Sequence, residues 1–260
     1  MSFTSLLINM NAQGRRAAVV GEEITYQSAD GTRLHGYIAN DEARKVKKPG
    51  VVLIHEWWGC NDFARNRADM LAALGYVVIA ADMFGGGKQG PTPKEASELA
   101  GPFYSNPHLV KERVEAAVKK LKEHPDTDPD QLACIGFCFG GSMSLTAAKL
   151  GMDFKAVVSF HGGLAGIPAE PGKTKAKILV CHGGADKFIS EEELKNFRKN
   201  MDEAKVDYTF ITYPDAVHAF TNPEATENGK KFNIPVAYNA IADKKSWEDM
   251  KTFFNRIFVQ

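Results

Sequence analysis

A chain of 260 residues with 44% hydrophobic and 25% charged residues has the mixture of a folded globular protein, which excludes disorder, collagen-like repeats and coiled coil. Lys+Arg 32 balances Asp+Glu 32, so no net field recruits nucleic acid or an anionic membrane. The longest apolar runs, Val51–Ile54 and Val77–Ala81, have the length of buried strands and fall far short of a membrane span.

Residues 1–20 read as a loose N-terminal extension and residues 21–260 as a single domain, because no Pro/Ser-rich linker, charge block or repeat divides them. Ser5–Ile8 is too short for the apolar core of a signal peptide, and no basic residue precedes Arg15. None of the four cysteines forms a C-x-x-C pair, so the expected compartment is a reducing cytoplasm. Next, Glu23–Ser28 and Arg33–Ile38 flank Asp30-Gly31, a hairpin-turn dipeptide. Val51–His55 is a continuous apolar strand. Phe63–Leu74 follows with Phe63, Arg67, Met70, Leu71 and Leu74 at helical spacing, Gly75 as its cap, and Tyr76–Ala81 as the next strand.

Further strands are predicted at Leu132–Ile135, Ala156–Phe160, Ile178–Cys181 and Tyr208–Tyr213, and helices at Lys111–Glu123, Gly141–Leu150, Glu191–Glu203 and Lys244–Phe258. Ser190 and Glu193 have the spacing of a capping box. Trp247, Met250, Phe254 and Ile257 form one apolar stripe that reads as core packing. Apolar strands alternating with amphipathic helices predict an α/β fold: a mostly parallel sheet with helices on both faces, behind an N-terminal antiparallel hairpin. In such sheets the chemistry lies in loops beyond the strand C-termini.

Leu132–Ile135 runs into Gly136-Phe137-Cys138-Phe139-Gly140-Gly141, with a helical pattern directly after it. This is the nucleophile-elbow pattern with cysteine in place of serine. The tight turn needs small neighbours, and it sets the thiol at a helix N-terminus, where the dipole and free N–H groups favour a thiolate and can stabilise an oxyanion. The competing reading is a buried structural cysteine. Cys134 and Cys181 lie within strands and read as core, and Cys60 lies in a loop with no catalytic role.

A thiolate nucleophile needs a base and a group that orients it. Asp186 follows the strand Ile178–Cys181, and His218 follows Tyr208–Tyr213. The chain order nucleophile, acid, base is that of the hydrolase fold. His55, His161 and His182 also end strands, but each precedes the slot of the base and reads as a local hydrogen-bonding group. Asp215 reads as a turn former, and Asp82 precedes the nucleophile. No His-x-x-x-His or clustered carboxylate pattern points to a metal site.

His55-Glu56-Trp57-Trp58-Gly59, Gly136-Phe137-Cys138-Phe139-Gly140, His182-Gly183-Gly184-Ala185-Asp186 and His218-Ala219-Phe220 together resemble the dienelactone hydrolase family of the α/β-hydrolase fold, from about Gly21 to Phe258. The resemblance implies a Cys138–His218–Asp186 triad, an oxyanion hole from the backbone N–H groups of Trp57 and Phe139, and Glu56 as the acid that sets the cysteine's thiol–thiolate balance. The competing reading of Glu56 is a salt-bridged structural acid. The family prototype binds its substrate carboxylate with two arginines. This chain has Asn222 at one position and Met83-Phe84-Gly85-Gly86-Gly87 at the other, while Lys88, Lys230 and Lys231 read as solvated.

Trp57, Trp58, Phe84, Phe103, Tyr104 and Phe220, with Asn222, are the candidates for the substrate-binding wall, against core packing for each aromatic. The expected function is a cysteine-dependent hydrolase of a small ester or lactone, carboxymethylenebutenolidase-like, with no cofactor and no metal, as a monomer or small homo-oligomer. The alternatives are a hydrolase-fold enzyme for a phosphotriester or for acyl transfer, and a catalytically silent binding protein of the same fold.

Overall fold

The computed structural model describes residues 7–10 and 16–258. The N-terminal strands are β1 (Leu7–Met10), β2 (Arg16–Gln27) and β3 (Arg33–Asp41), each antiparallel to the next. Gly31, at φ 84°, turns β2 into β3, and the Ser28 and Thr32 backbones close the hairpin at 3.0 Å. The sheet therefore reaches into the first twenty residues, which the sequence reading treats as a loose extension. Local alternation misses these strands because their order comes from ladder partners such as Val19 opposite Asp41.

The central strands are β4 (Lys48–Ile54), β5 (Val77–Ala81), β6 (Thr127–Phe137), β7 (Ala156–Phe160), β8 (Lys177–Gly183) and β9 (Tyr208–Tyr213). They complete a nine-stranded sheet in the order β1-β2-β3-β5-β4-β6-β7-β8-β9, parallel from β5 to β9. The helices are α1 (Asp62–Ala73), α2 (Pro93–Ser105), α3 (Pro107–Lys122), α4 (Phe139–Lys149), α5 (Glu191–Glu203), α6 (Ala225–Phe232) and α7 (Ala240–Asn255). Successive strand residues point to opposite faces, so two cores form. Val52, Ile54 and Cys134 pack with α2 to α5, through residues such as Phe103, Val114, Met143 and Phe197. Val51, Leu53, Ile135 and Cys181 pack with α1 and α7, through Leu71, Trp247, Met250 and Phe254. Helices on both faces of a mostly parallel sheet, behind an antiparallel N-terminal hairpin, are the architecture the sequence predicts.

The sequence reading misses α2 and α6. Gly101 and Pro102 interrupt the apolar period of α2, and Gly229 that of α6. The capping box is half formed: Ser190 Oγ accepts the Glu193 N–H at 3.1 Å, but Glu193 Oε1 turns away and accepts the N–H groups of Leu164 and Ala165 at 2.9 and 2.8 Å. Cys60 lies, as expected, in the loop between β4 and α1, and its side chain is buried in the core against the Ala80 carbonyl. Among the described residues no helix is long and apolar enough to cross a membrane, and no group of three or more His, Cys, Asp or Glu is arranged to hold a metal ion.

Candidate active site

The site forms where β4, β6, β8 and β9 run out at their C-terminal ends. Cys138 is the N-cap of α4, at φ 54° and ψ −115°, a conformation that side chains with a Cβ seldom adopt. The residues two before and two after it, Gly136 and Gly140, must be glycine. A Cβ on Gly136 would lie 2.0 Å from the Gly140 carbonyl oxygen, and one on Gly140 would lie 2.1 Å from that of Ile54. Strand, turn and helix therefore approach closely enough to present the half-buried thiol at the start of α4.

His218 Nε2 lies 3.1 Å from Cys138 Sγ, and its Nδ1–H donates to Asp186 Oδ2 at 2.8 Å. The Asp186 side chain has no exposed surface, and its other oxygen accepts the Phe188 N–H at 2.8 Å. Burial opposes the imidazolium, but negative charge on the Cys138 sulfur and the hydrogen-bonded Asp186 carboxylate outweigh it and raise His218 to about 10. A histidine whose proton is held more tightly beside a sulfur is arranged to support a thiolate and to donate a proton. Of the other strand-end histidines, His55 reaches the adjacent Glu56 carbonyl and accepts the Met83 N–H at 3.3 Å. His161 instead bonds across the fold to the Cys138 N–H and Thr221, and the buried His182 Nδ1 has no hydrogen-bond partner among the described residues, so the expected local bonding does not describe these two.

Glu56 lies two residues past the end of β4 and is 2% exposed. Its Oε2 accepts from the Asn222 amide at 2.6 Å, while Oε1 has no hydrogen-bond partner among the described residues. Burial raises this acid to about 7, and the Asn222 bond offsets only part of that. No cation salt-bridges it among the described residues, so the salt-bridged structural reading does not fit. Trp57 lies next in the chain and on the same cavity wall. Phe139 is the first residue of α4, so its N–H has no preceding helical turn to bond.

These groups open into a cavity of about 310 Å³. Of the proposed wall, Trp57, Trp58, Tyr104 and Asn222 line it, but Phe84, Phe103 and Phe220 do not. Phe84 and Phe103 pack against Phe139 at ring distances of 5.5 and 5.4 Å, beneath the elbow. Phe220 is fully buried against Tyr213 and His161. A run of aromatics near a site carries no sign of which side of the loop each ring takes; Phe103 and Phe220 lie in the core, and the partly buried Phe84 packs against it. Sequence reasoning missed Ser97 and Gly101 on α2, Asn228 on α6, and Phe188, Ile189 and Glu193. Phe188 was within reach of that reasoning, since it sits in the same strand-end loop as Asp186; the helix residues were not, because their helices were not seen. Among the described residues no lysine or arginine lines the cavity.

Residues 34–258 match the family model described as "Dienelactone hydrolase family". "Protein usf" of Aquifex pyrophilus is 31% identical over 242 residues, covering 90% of this chain and 98% of its own length. A protein of Aquifex aeolicus, provisionally named carboxymethylenebutenolidase, is 27% identical over 242 residues, covering 90% of this chain and 98% of its own. The crystal structure of a dienelactone hydrolase-like promiscuous phosphotriesterase from metagenomic libraries superimposes with a TM-score of 0.85 at 33% identity, over 93% of this chain and 99% of that one. Sequence and fold thus agree along almost the whole described chain, and the chain belongs to the dienelactone hydrolase family.

Proposed function

We propose that this protein hydrolyses a neutral carboxylic ester or lactone through a covalent thioester on Cys138. The observation that carries this reading is the chain of contacts from Cys138 Sγ to His218 Nε2 at 3.1 Å and from His218 Nδ1 to Asp186 at 2.8 Å, opening into a cavity that no lysine or arginine lines among the described residues. Sγ attacks the carbonyl carbon, and the N–H groups of Trp57 and Phe139 receive the charge that develops on its oxygen. The His218 imidazolium protonates the departing alkoxide, the C–O bond breaks, and the acyl group remains on sulfur. His218, now neutral, takes a proton from water, and the hydroxide adds to the thioester. Collapse of that adduct breaks the C–S bond and restores the thiolate–imidazolium pair, releasing the acid. Asp186 keeps the imidazole oriented throughout.

The deciding experiment is turnover of a neutral aryl ester by Cys138→Ala beside Cys60→Ala, Cys134→Ala and Cys181→Ala. The expected loss is about a thousandfold or more in Cys138→Ala and little in the others. Comparable turnover in Cys138→Ala and the parent overturns the mechanism. A second reading has one observation in its favour: a structural relative at 33% identity is named a promiscuous phosphotriesterase. The same sulfur would then attack phosphorus, and a higher kcat/KM for a neutral phosphotriester than for any ester or lactone would select that reading.

A further inference from the structure

We infer that His161 is a positioning residue for Cys138, held in that role by Thr221. The inference rests on Cys138 being the nucleophile. His161 ends β7 with φ 40° and is 1% exposed. Its Nδ1 accepts the backbone N–H of Cys138 at 3.1 Å, and that N–H is shared with the Phe160 carbonyl at 3.0 Å. Its Nε2 lies 2.8 Å from Thr221 Oγ1. A backbone N–H can only donate, so Nδ1 carries no proton; the ring is the neutral Nε2–H tautomer, and Nε2–H donates to Thr221. Burial, followed by the positive charges of His218 and Arg67, pushes His161 well below the usual histidine range, in keeping with a neutral ring.

Thr221 is itself anchored. Its carbonyl accepts from Arg67 Nη2 at 2.6 Å, and the same nitrogen pairs with Asp243 Oδ1 at 2.6 Å. Thr221 lies in the loop that carries His218, directly before Asn222, the residue that holds Glu56. One neutral imidazole therefore ties the turn that bears the nucleophile to the loop that bears the base. The consequence is geometric. Cys138 occupies a conformation that persists only where its surroundings over-determine it, and two acceptors on its N–H fix the peptide plane that sets the direction of its side chain. The His161 ring also meets the His218 ring edge to face, with centroids 5.4 Å apart, and being neutral it adds no charge beside the imidazolium. Loss of the Nδ1 acceptor should let the elbow relax and carry Sγ off the line to His218 Nε2.

The test uses three variants, with every rate referred to the sites that iodoacetamide can titrate. His161→Phe keeps a ring and removes both nitrogens. His161→Asn places Oδ1 where Nδ1 stood and tolerates a positive φ. Thr221→Val removes the oxygen that selects the tautomer. With a neutral aryl ester, His161→Phe is expected to lose about tenfold or more in kcat with KM changed by less than about twofold, and to slow Cys138 alkylation. His161→Asn should return to within about threefold of the parent, and Thr221→Val should fall between them. A role in stability alone would lower Tm and the titratable fraction but leave kcat per titrated site unchanged. Parental kcat in folded His161→Phe, or an equal deficit in His161→Asn, overturns the inference; parental kcat in Thr221→Val overturns the part given to Thr221. If His161→Phe does not fold, the contrast between His161→Asn and Thr221→Val decides by the same rule. Turnover surviving in Cys138→Ala would remove the reading on which the inference rests, whereas its loss there with parental His161→Phe rates would overturn the inference alone.

Discussion

The Asn222 amide donates to Glu56 Oε2 at 2.6 Å inside the cavity that holds Cys138. The position where the family prototype carries an arginine is thus occupied by the partner of the buried acid, and that partner is neutral. An arginine there would have held Glu56 ionised. With asparagine, burial prevails and the acid titrates at about 7.

Stability should therefore depend on pH through Glu56. Its pKa rises from 4.5 in the unfolded chain to about 7 in the folded one, so the folded state holds the proton more tightly. Its contribution is fully present below 4.5 and is lost as pH rises through about 7. Denaturant melts of Glu56→Gln are expected to lack this decline, which amounts to about 3 kcal/mol in the parent. The same substitution should change the pH profile of Cys138 alkylation. A collapse in stability with an unaltered alkylation profile would show that Glu56 serves the fold and not the thiol.

The activity profile should have its alkaline limb where His218 loses its proton. His218 is raised to about 10, so on the proposed mechanism its protonated form, the acid for the leaving group, is lost as pH rises through about 10. The stability of the ion pair has the same sign, present below the ordinary histidine value of 6.5 and lost through about 10. Asp186→Asn removes one of the groups that raise His218. Its kcat/KM limb is expected at lower pH, with a lower plateau, and an unmoved limb would exclude His218 as the titrating acid.

Substrate charge should matter strongly. A carboxylate entering this cavity meets Glu56 and Glu193, finds the ring nitrogens of His218 already engaged by Asp186 and Cys138, and among the described residues meets no lysine or arginine. Lys230 pairs with Glu227 on the surface at 2.8 Å, Lys231 lies over Phe232, and Lys88 is exposed. A charge buried without a partner costs several kcal/mol, so a neutral aryl ester should exceed its carboxylate-bearing analogue in kcat/KM by about tenfold or more. Measurement of both at low and high salt checks this, and a carboxylate preference that fades with salt would reveal a cation at the site.

Two glycine substitutions near the site should have opposite effects on stability. A Cβ at Gly140 meets the Ile54 carbonyl oxygen at 2.1 Å, and backbone cannot move aside; Gly140→Ala is expected to cost about 3 kcal/mol or more, or to prevent folding. Gly101 lies within α2, and a Cβ there meets nothing within 4 Å. Gly101→Ala is expected to stabilise by about 0.5–1 kcal/mol, read as a higher denaturant midpoint.

Local chemistry made much of this protein legible in its sequence. The central strands are continuous apolar runs because both faces are covered, and α5 is bounded by its Ser190 cap and its apolar period, so each announces itself within a few residues. The glycines around Cys138 mark a turn in which strand and helix touch, and the chain order of Cys138, Asp186 and His218 follows the order in which the strands enter the sheet. Only the tertiary structure decided the rest. β1 and the first half of β2 are ordered by ladder partners, α2 and α6 form despite Pro102 and Gly229, and both helices reach over the strand ends to wall the cavity. Phe84, Phe103 and Phe220 pack against or within the core where Trp57, Trp58 and Tyr104 line the cavity, a choice made by packing and invisible to residue type. The bonds from Asn222 to Glu56 and from His161 to Cys138 and Thr221 join residues far apart in sequence, and a hydrogen bond depends on where atoms meet in space.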